Sequence, residues 1–344
     1  MRIVVDNVVF FDIHCRWRYK RVMANERKNN GPTLVDHFFA ELGGARTQKL
    51  LDRLDRLIPW DQLAGPIESL YHNDAGRGGR PNVPVVMMLK CILLQKWFNL
   101  SDPGLEEAID DRISFRRFLG LATTDDGVDE TTLVKFRKRL RDAGVMAQLF
   151  DTATDYLTRQ GLILQQGTMV DATIIEAPKG RTTKDGLGST KDKTASFTKK
   201  HGRTYHGYKA HIATDGNGMI KDYLFDTAKV HDSKHIDALI EGETQEVFAD
   251  SAYMNQQRKQ DLESRGVFCG IIERRVRGQA QLTRAQKAHN RLCATFRAAV
   301  EHPFAWIKTM GHRRVRYRGA RRNGEDFGFM AMAYNFKRSL SLMT

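Results

Sequence analysis

Three acids stand out by their surroundings. Asp171 lies within the apolar and β-branched stretch from Met169 to Ile175, and Asp250 ends the run Val247-Phe248-Ala249. A carboxylate among apolar neighbours is costly unless it is paired, hydrogen-bonded or bound to a metal. In α/β folds the carboxyl ends of strands are where ligands gather. The third acid, Glu301, sits in NRLCATFRAAVEHPFAWIK, with Arg297 four residues before it and Lys308 seven after. Helical spacing places these three on roughly one face, with Leu292, Phe296, Val300 and Ile307 as a buried stripe. Pro303 has no backbone donor, so the helix must kink or restart just after Glu301. Singly, each aspartate reads equally well as a turn or capping residue, and Arg297–Glu301 as an ordinary surface pair. Together they point to one shared site.

Three converging carboxylates repel one another, and divalent cations relieve the repulsion. Mg²⁺ takes hard oxygen ligands and keeps positions open for water and phosphate; Mn²⁺ would serve as well. Two such ions about 3.5–4 Å apart activate an attacking oxygen and stabilise a leaving one. Asp171 is then the natural bridging ligand, and Arg297 and Lys308 can hold the scissile or adjacent phosphates. The chemistry expected is phosphoryl transfer on nucleic acid. Recombination through a tyrosine nucleophile is disfavoured, because none of the eleven histidines has an arginine three positions later. NTP-driven chemistry is disfavoured too, since no G-x-x-x-x-G-K-[ST] loop occurs. A nuclease that cleaves without joining stays open, whereas the intact acids argue against a non-enzymatic DNA-binding protein.

The elements that must position these residues divide at about Gly167. The preceding part reads as mostly helical. Thr47 to Leu57 has apolar residues at helical spacing, and Val85 to Phe98 is apolar almost all round, with Pro84 suited to its first turn. Asp102-Pro103 starts a helix that presents Leu105, Ala108 and Ile109. Asp129 caps ETTLVKFRKRLRDAG, which Gly144 ends. In that helix Leu133, Phe136 and Leu140 form the stripe, and Lys135, Arg137, Lys138 and Arg141 face away. Two helices with a basic second member resemble a helix-turn-helix; the basic side either contacts DNA or is the solvated face of a core helix.

From Gly167 the pattern turns to strands. GTMVDATIIEA is strand-like, residues 178–204 are polar, basic and glycine-rich and read as a mobile loop, and Asp215-Gly216-Asn217-Gly218 marks a hairpin between YHGYKAHIAT and MIKDYLFDTAKV. Ser233 can cap a short helix, KHIDALI. EVFAD, NQQRKQDLESRG and VFCGII then alternate as strand, helix and strand. This order matches a ribonuclease-H-like mixed α/β sheet with flanking helices, preceded by an all-α DNA-binding domain. The expected boundaries are 1–31 for an N-terminal extension, 32–162 for the helical domain and 163–344 for the catalytic domain. The extension is either an extra strand or an upstream addition, since Met23 opens a more natural polar leader.

A net charge of +14 favours a polyanionic partner. The basic residues cluster in the helix around Arg137, between Gly180 and Lys209, and from Arg313 to Arg322, where Arg314, Arg316 and Arg318 are candidate DNA contacts. The four cysteines form no C-x-x-C pair, so neither a zinc site nor a disulfide framework is indicated. No apolar run is long enough for a membrane span. A reducing cytoplasm fits.

At these residues the chain resembles bacterial insertion-sequence transposases of the DDE superfamily, most closely insertion-sequence family five. The resemblance runs from about Pro32 to the C-terminus. It is carried by GRPNVPVVMMLKCILLQKWFNLSDPGLEEAIDDRISFRRFLGL and then, in order, VDATIIEAP, TKKHGRTYHGYKAHIATD, KVHDSKHIDAL, VFADSAY, and VEHPFAWIK with RVRYRGARRN. It implies that Asp171, Asp250 and Glu301 are the catalytic and metal-binding triad. It implies double-stranded DNA as partner, both terminal inverted repeats and target, and a homodimer or larger synaptic assembly. The short interval between Asp250 and Glu301 leaves no room for a large inserted domain. Related transposases carry a Tyr-Arg-Glu-Lys signature; Arg297, Glu301 and Lys308 keep its spacing, but Ala294 stands in place of the tyrosine. Lys209 and His211, with His206, lie in a matching segment, as either DNA-contacting groups or polar residues of a core hairpin. His231-Asp232 reads as a loop-capping pair before a ligand.

Overall fold

The computed structural model describes residues 31, 33, 46–71, 81–181, 191–200, 202–275 and 278–343. Residues 1–30, where the extension was expected, lie outside that set.

Among the described residues, seven helices precede the sheet. They are α1 (Arg46–Leu57), α2 (Trp60–Glu68), α3 (Val85–Phe98), α4 (Asp102–Asp111), α5 (Ile113–Leu119), α6 (Glu130–Ala143) and α7 (Met146–Arg159). Their ends follow local chemistry. Ser101 caps α4 through the Gly104 amide, and Asp129 caps α6 by accepting from Thr132 N–H at 2.8 Å. Gly120 and Gly144 close α5 and α6 in the left-handed conformation. Helix α3 is buried nearly all round, as its composition predicts. Helix α5 was not anticipated; its polar content hides the buried Phe115, Phe118 and Leu119.

The sheet has six strands, β1 (Thr168–Glu176), β2 (Ser196–Lys200), β3 (Arg203–Thr214), β4 (Ile220–Thr227), β5 (Glu246–Ala249) and β6 (Phe268–Ile271). The central order is β4-β3-β1-β5-β6, antiparallel from β4 to β1 and parallel from β1 to β6, with β2 added to β3. This is the ribonuclease-H-like arrangement expected. Strand β2 is a correction, because it lies in the stretch read as a loop. Cross-strand hydrogen bonding to the end of β3 overrides its polar composition. Between them β1 and β3 approach closely at Gly207, where a Cβ would stand 2.1 Å from the Ile175 carbonyl oxygen.

Both faces of the sheet are covered. One carries Val170, Ala213, Val247 and Ala249, under the short α8 (Ile236–Leu239) and α9 (Gln256–Ser264). Ser233 does not cap α8, which starts after His235 without a side-chain cap; the preceding 3-10 turn, Asp232–Lys234, is capped by His231, which accepts from the Ser233 amide. The other face carries Met169, Ile175, Ile212 and Phe248, under α10 (Arg284–Arg297), α11 (Glu301–Thr309) and the 23-residue α12 (Ala320–Leu342).

Helix α12 also went unforeseen, and it joins the two halves. It packs on β4, α3 and α7, and a single buried cluster runs from Leu51 to Leu340. Asn335 both donates to and accepts from the Ile220 backbone, at 2.8 and 2.9 Å, satisfying the strand edge. Lys96 of α3 pairs with Asp326 of α12, both buried, and Trp97 donates to the Ala333 carbonyl at 2.9 Å. Removing one member of such a buried ion pair costs about 3–5 kcal/mol, since the other charge is left without a partner.

Candidate active site

Parallel pairing of β1 with β5 sets Met169 beside Phe248 and Val170 beside Ala249. The next step along both chains is Asp171 and Asp250. Neighbouring strands lie about 4.8 Å apart, so these two carboxylates stand on adjacent rungs. Side chains alternate between faces. Asp171 therefore shares the face of Met169, and Asp250 that of Phe248, toward α10 and α11.

The covering helices bring cations to the pair. Phe296, at the end of α10, stacks on Phe248 with ring centroids 5.0 Å apart. This delivers the next residue, Arg297, to the site, with its Nη1 3.8 Å from Asp250 Oδ1. Asp250 accepts from the Ser251 amide at 2.6 Å, and Asp171 from the Ala172 amide at 2.7 Å. Burial raises the Asp171 carboxyl above its ordinary value, with a smaller contribution from Asp250; the Ala172 amide, Arg297 and Lys200 oppose it. Lys308 is pulled below its ordinary value by burial and by Lys200 and Arg313, while Asp171 acts the other way. Arg297, Lys200 and Lys308 thus lie within electrostatic reach of the half-buried Asp171 carboxylate. Two all-oxygen donors side by side, one held above its usual range by burial, suit a hard divalent cation.

Glu301 stands differently. The chain leaves α10 through a 3-10 turn, Ala298–Val300, which packs against β1, and Glu301 then opens α11. The break expected just after Glu301 comes before it. Pro303 falls in the first helical turn, where its missing donor costs nothing. The Glu301 side chain is exposed and makes no hydrogen bond or ion pair among the described residues. No group of three acidic, His or Cys side chains is gathered closely enough to hold a metal among the described residues. The structure therefore joins Asp171, Asp250 and Arg297, sets Lys308 within electrostatic reach of Asp171, and leaves the Glu301 side chain exposed and outside the set. The expected apolar stripe is corrected as well. Val300 and Ile307 are buried, whereas Leu292 and Phe296 are largely exposed and Cys293 takes the inward position on α10. The interrupted helix changes the phase between its two parts.

Lys209 and His211 do not reach this site. Asp171 pairs with Ile212 and Ala172 with His211, so alternation turns His211 and Lys209 to the opposite face of the sheet. There Lys209 pairs with Asp232 at 2.7 Å and donates to the Val230 carbonyl. His211 is fully buried against the His235 ring, and burial lowers it to about 4, so the imidazole is neutral. Two neighbours escaped sequence reasoning. Lys200 sits on the unforeseen β2. Tyr253 is buried within the electrostatic reach of Asp171 and Asp250, its hydroxyl unpartnered among the described residues; only its place in VFADSAY could have flagged it.

The expected DNA-contacting residues separate into two kinds. On α6, Lys135 and Lys138 are exposed, as is Arg139 over the Tyr71 ring. Arg137 is buried, clamped to Asp102 and to Gln95 Oε1, which corrects the reading that it faces outward. Arg141 is held by Glu325 at 2.9 Å. In the C-terminal basic segment Arg314 and Arg318 are exposed, Arg314 beside the end of β1, while the Arg316 guanidinium bonds to the Leu100 carbonyl and to Asn99.

Order of strands, paired aspartates and nearby cations together define a nucleic-acid-processing enzyme of the ribonuclease-H-like class. A family model described as "Transposase DDE domain" matches residues 164–336, half of the chain. Another, described as "Transposase domain", matches residues 43–139. The chain belongs to the DDE transposases, enzymes that act on DNA and generally use divalent metals. No solved structure gives a significant match. Among the described residues no helix is long and apolar enough to cross a membrane.

Proposed function

We propose that this transposase is a member of insertion-sequence family five and that Asp171, Asp250 and Glu301 form its acidic triad. The observation that carries the reading is the adjacency of Asp171 and Asp250 on one face of the sheet, with Arg297 beside them. Divalent ions bound there, Mg²⁺ or Mn²⁺, would neutralise the carboxylates, activate the attacking oxygen and stabilise the leaving one. Asp171, the more enclosed acid, would hold such ions together with Asp250. Glu301, in the first turn of α11 just after a 3-10 turn, would complete the set by turning inward. Arg297 and Lys308 hold the phosphates on either side of the scissile bond, as Arg and Lys do wherever phosphate charge must be offset. The exposed Lys135 and Lys138 of α6, with Arg314 and Arg318, track the backbone of the terminal inverted repeats.

In this reading the enzyme hydrolyses the phosphodiester at the element's ends, and the freed 3′-hydroxyl attacks target DNA in line. Two ends must be held together, so a homodimer or larger assembly carries the reaction. Alanine at Asp171, Asp250 or Glu301 should each abolish end cleavage and strand joining while end binding persists in a mobility-shift assay. Strand joining by any of these variants would remove that residue from the triad. Trapping a covalent phosphotyrosine adduct would overturn the mechanism as a whole.

A further inference from the structure

A second set of groups that could receive DNA lies around the helix from Glu301. A cavity of about 220 Å³ is lined by His302, Trp306, Tyr334, Lys337, Arg338 and Ser341. None of these is acidic. The Trp306 indole nitrogen is buried without a hydrogen-bond partner among the described residues. Lys337 holds its ammonium 5.5 Å from the Trp306 ring centroid and makes no ion pair among the described residues. Burial lowers its pKa, and no carboxylate offsets this. Trp306 also packs on Tyr334 at 5.6 Å, and the Tyr334 hydroxyl is fixed on the Gly218 carbonyl, so the aromatic wall is rigid. Arg338 is anchored by two bonds to the Asn217 carbonyl.

Leaving a buried donor unsatisfied costs about 1–3 kcal/mol, and a partly buried cation with no anion adds to this. At about 30 Å³ per water, the cavity is several waters in size, enough for a phosphate group. Donors without acceptors beside a flat aromatic wall suit a phosphodiester whose sugar or base lies on the ring. The cavity begins at His302, the residue after Glu301.

We propose that this cavity is a phosphate subsite for the DNA strand leading away from the scissile bond, with Lys337 as its cation and the Trp306 ring as its wall. This rests on placing Glu301 at the reaction centre. Its test does not depend on catalysis, because binding is read in metal-free buffer with the full chain. A double-stranded oligonucleotide should quench the part of the tryptophan emission that Trp306→Phe removes. Lys337→Gln should weaken binding several-fold and lower the slope of log affinity against log salt by about 0.9, while Lys337→Arg restores both. Thermal melting of each variant confirms the fold. Unchanged affinity and slope in Lys337→Gln, or Trp306 emission indifferent to DNA, overturns the proposal. Quenching by inorganic phosphate but not by the oligonucleotide would overturn it too, by making this a site for the free ion.

Discussion

His312 offers a sharp test of how the two halves are joined. It is 4% exposed, with Nε2 3.3 Å from Asp326 Oδ2. Asp326 is already paired with Lys96, and Arg316 lies nearby. Burial lowers the His312 pKa from 6.5 to about 3; Asp326 opposes this, and Lys96 and Arg316 reinforce it. The native protein therefore holds His312 neutral through a range in which the unfolded chain takes up a proton. Stability from this group is complete above the unfolded value and is lost as pH falls through it. The slope is at most about 1.4 kcal/mol per pH unit, and between pH 7.5 and 5 the loss integrates to about 2 kcal/mol. His312→Gln removes the proton-linked part alone. Urea unfolding of both proteins at the two pH values should show the parent losing about 2 kcal/mol more than the variant. The His312 ring resonances should not titrate over the same range. Equal pH dependence, or a parent that gains relative stability in acid, would mean that His312 carries a charge against Asp326, and the argument would fail.

Other outcomes follow from the same contacts. Lys96→Met should cost about 3–5 kcal/mol in chemical denaturation, and Lys96→Met with Asp326→Leu should recover much of it; equal costs for single and double variants would refute a buried charge as the cause. Arg137→Ala should lower stability yet leave the salt slope of DNA binding unchanged, whereas Lys138→Gln in the same helix should leave stability unchanged and reduce the slope by about 0.9. A reversal would return Arg137 to the DNA surface. Gly207→Ala should destabilise by at least about 3 kcal/mol, because its Cβ meets backbone rather than a flexible side chain; an unchanged melting temperature would show that β1 and β3 can part freely.

Much of the fold was legible locally. Asp129 and Gly144 mark the ends of α6 because capping acts within a single turn. Asp215 to Gly218 marks the hairpin because the turn requires a positive φ, here +73° at Gly218. Elements whose composition disguised them were missed. Strand β2 is polar, and α5 is short and basic. Helix α12 is buried on so many sides that no single apolar stripe emerges.

Read alone, the sequence singles out the candidate acids, because a carboxylate in an apolar strand or at its end is conspicuous in one dimension. It also determined the alternation of strands and helices around them, through propensity, caps and turns that reach only a few residues. Which groups meet depends on how distant segments pair and pack. Strand register made Asp171 and Asp250 neighbours and turned Lys209 and His211 to the far side. Packing buried Arg137 while leaving Lys138 in solvent, and Glu301, opening α11 after a 3-10 turn, is exposed. These outcomes depend on pairing and burial between segments distant in the chain. No local rule contains them, since a shift of one residue in register exchanges the two faces of a strand.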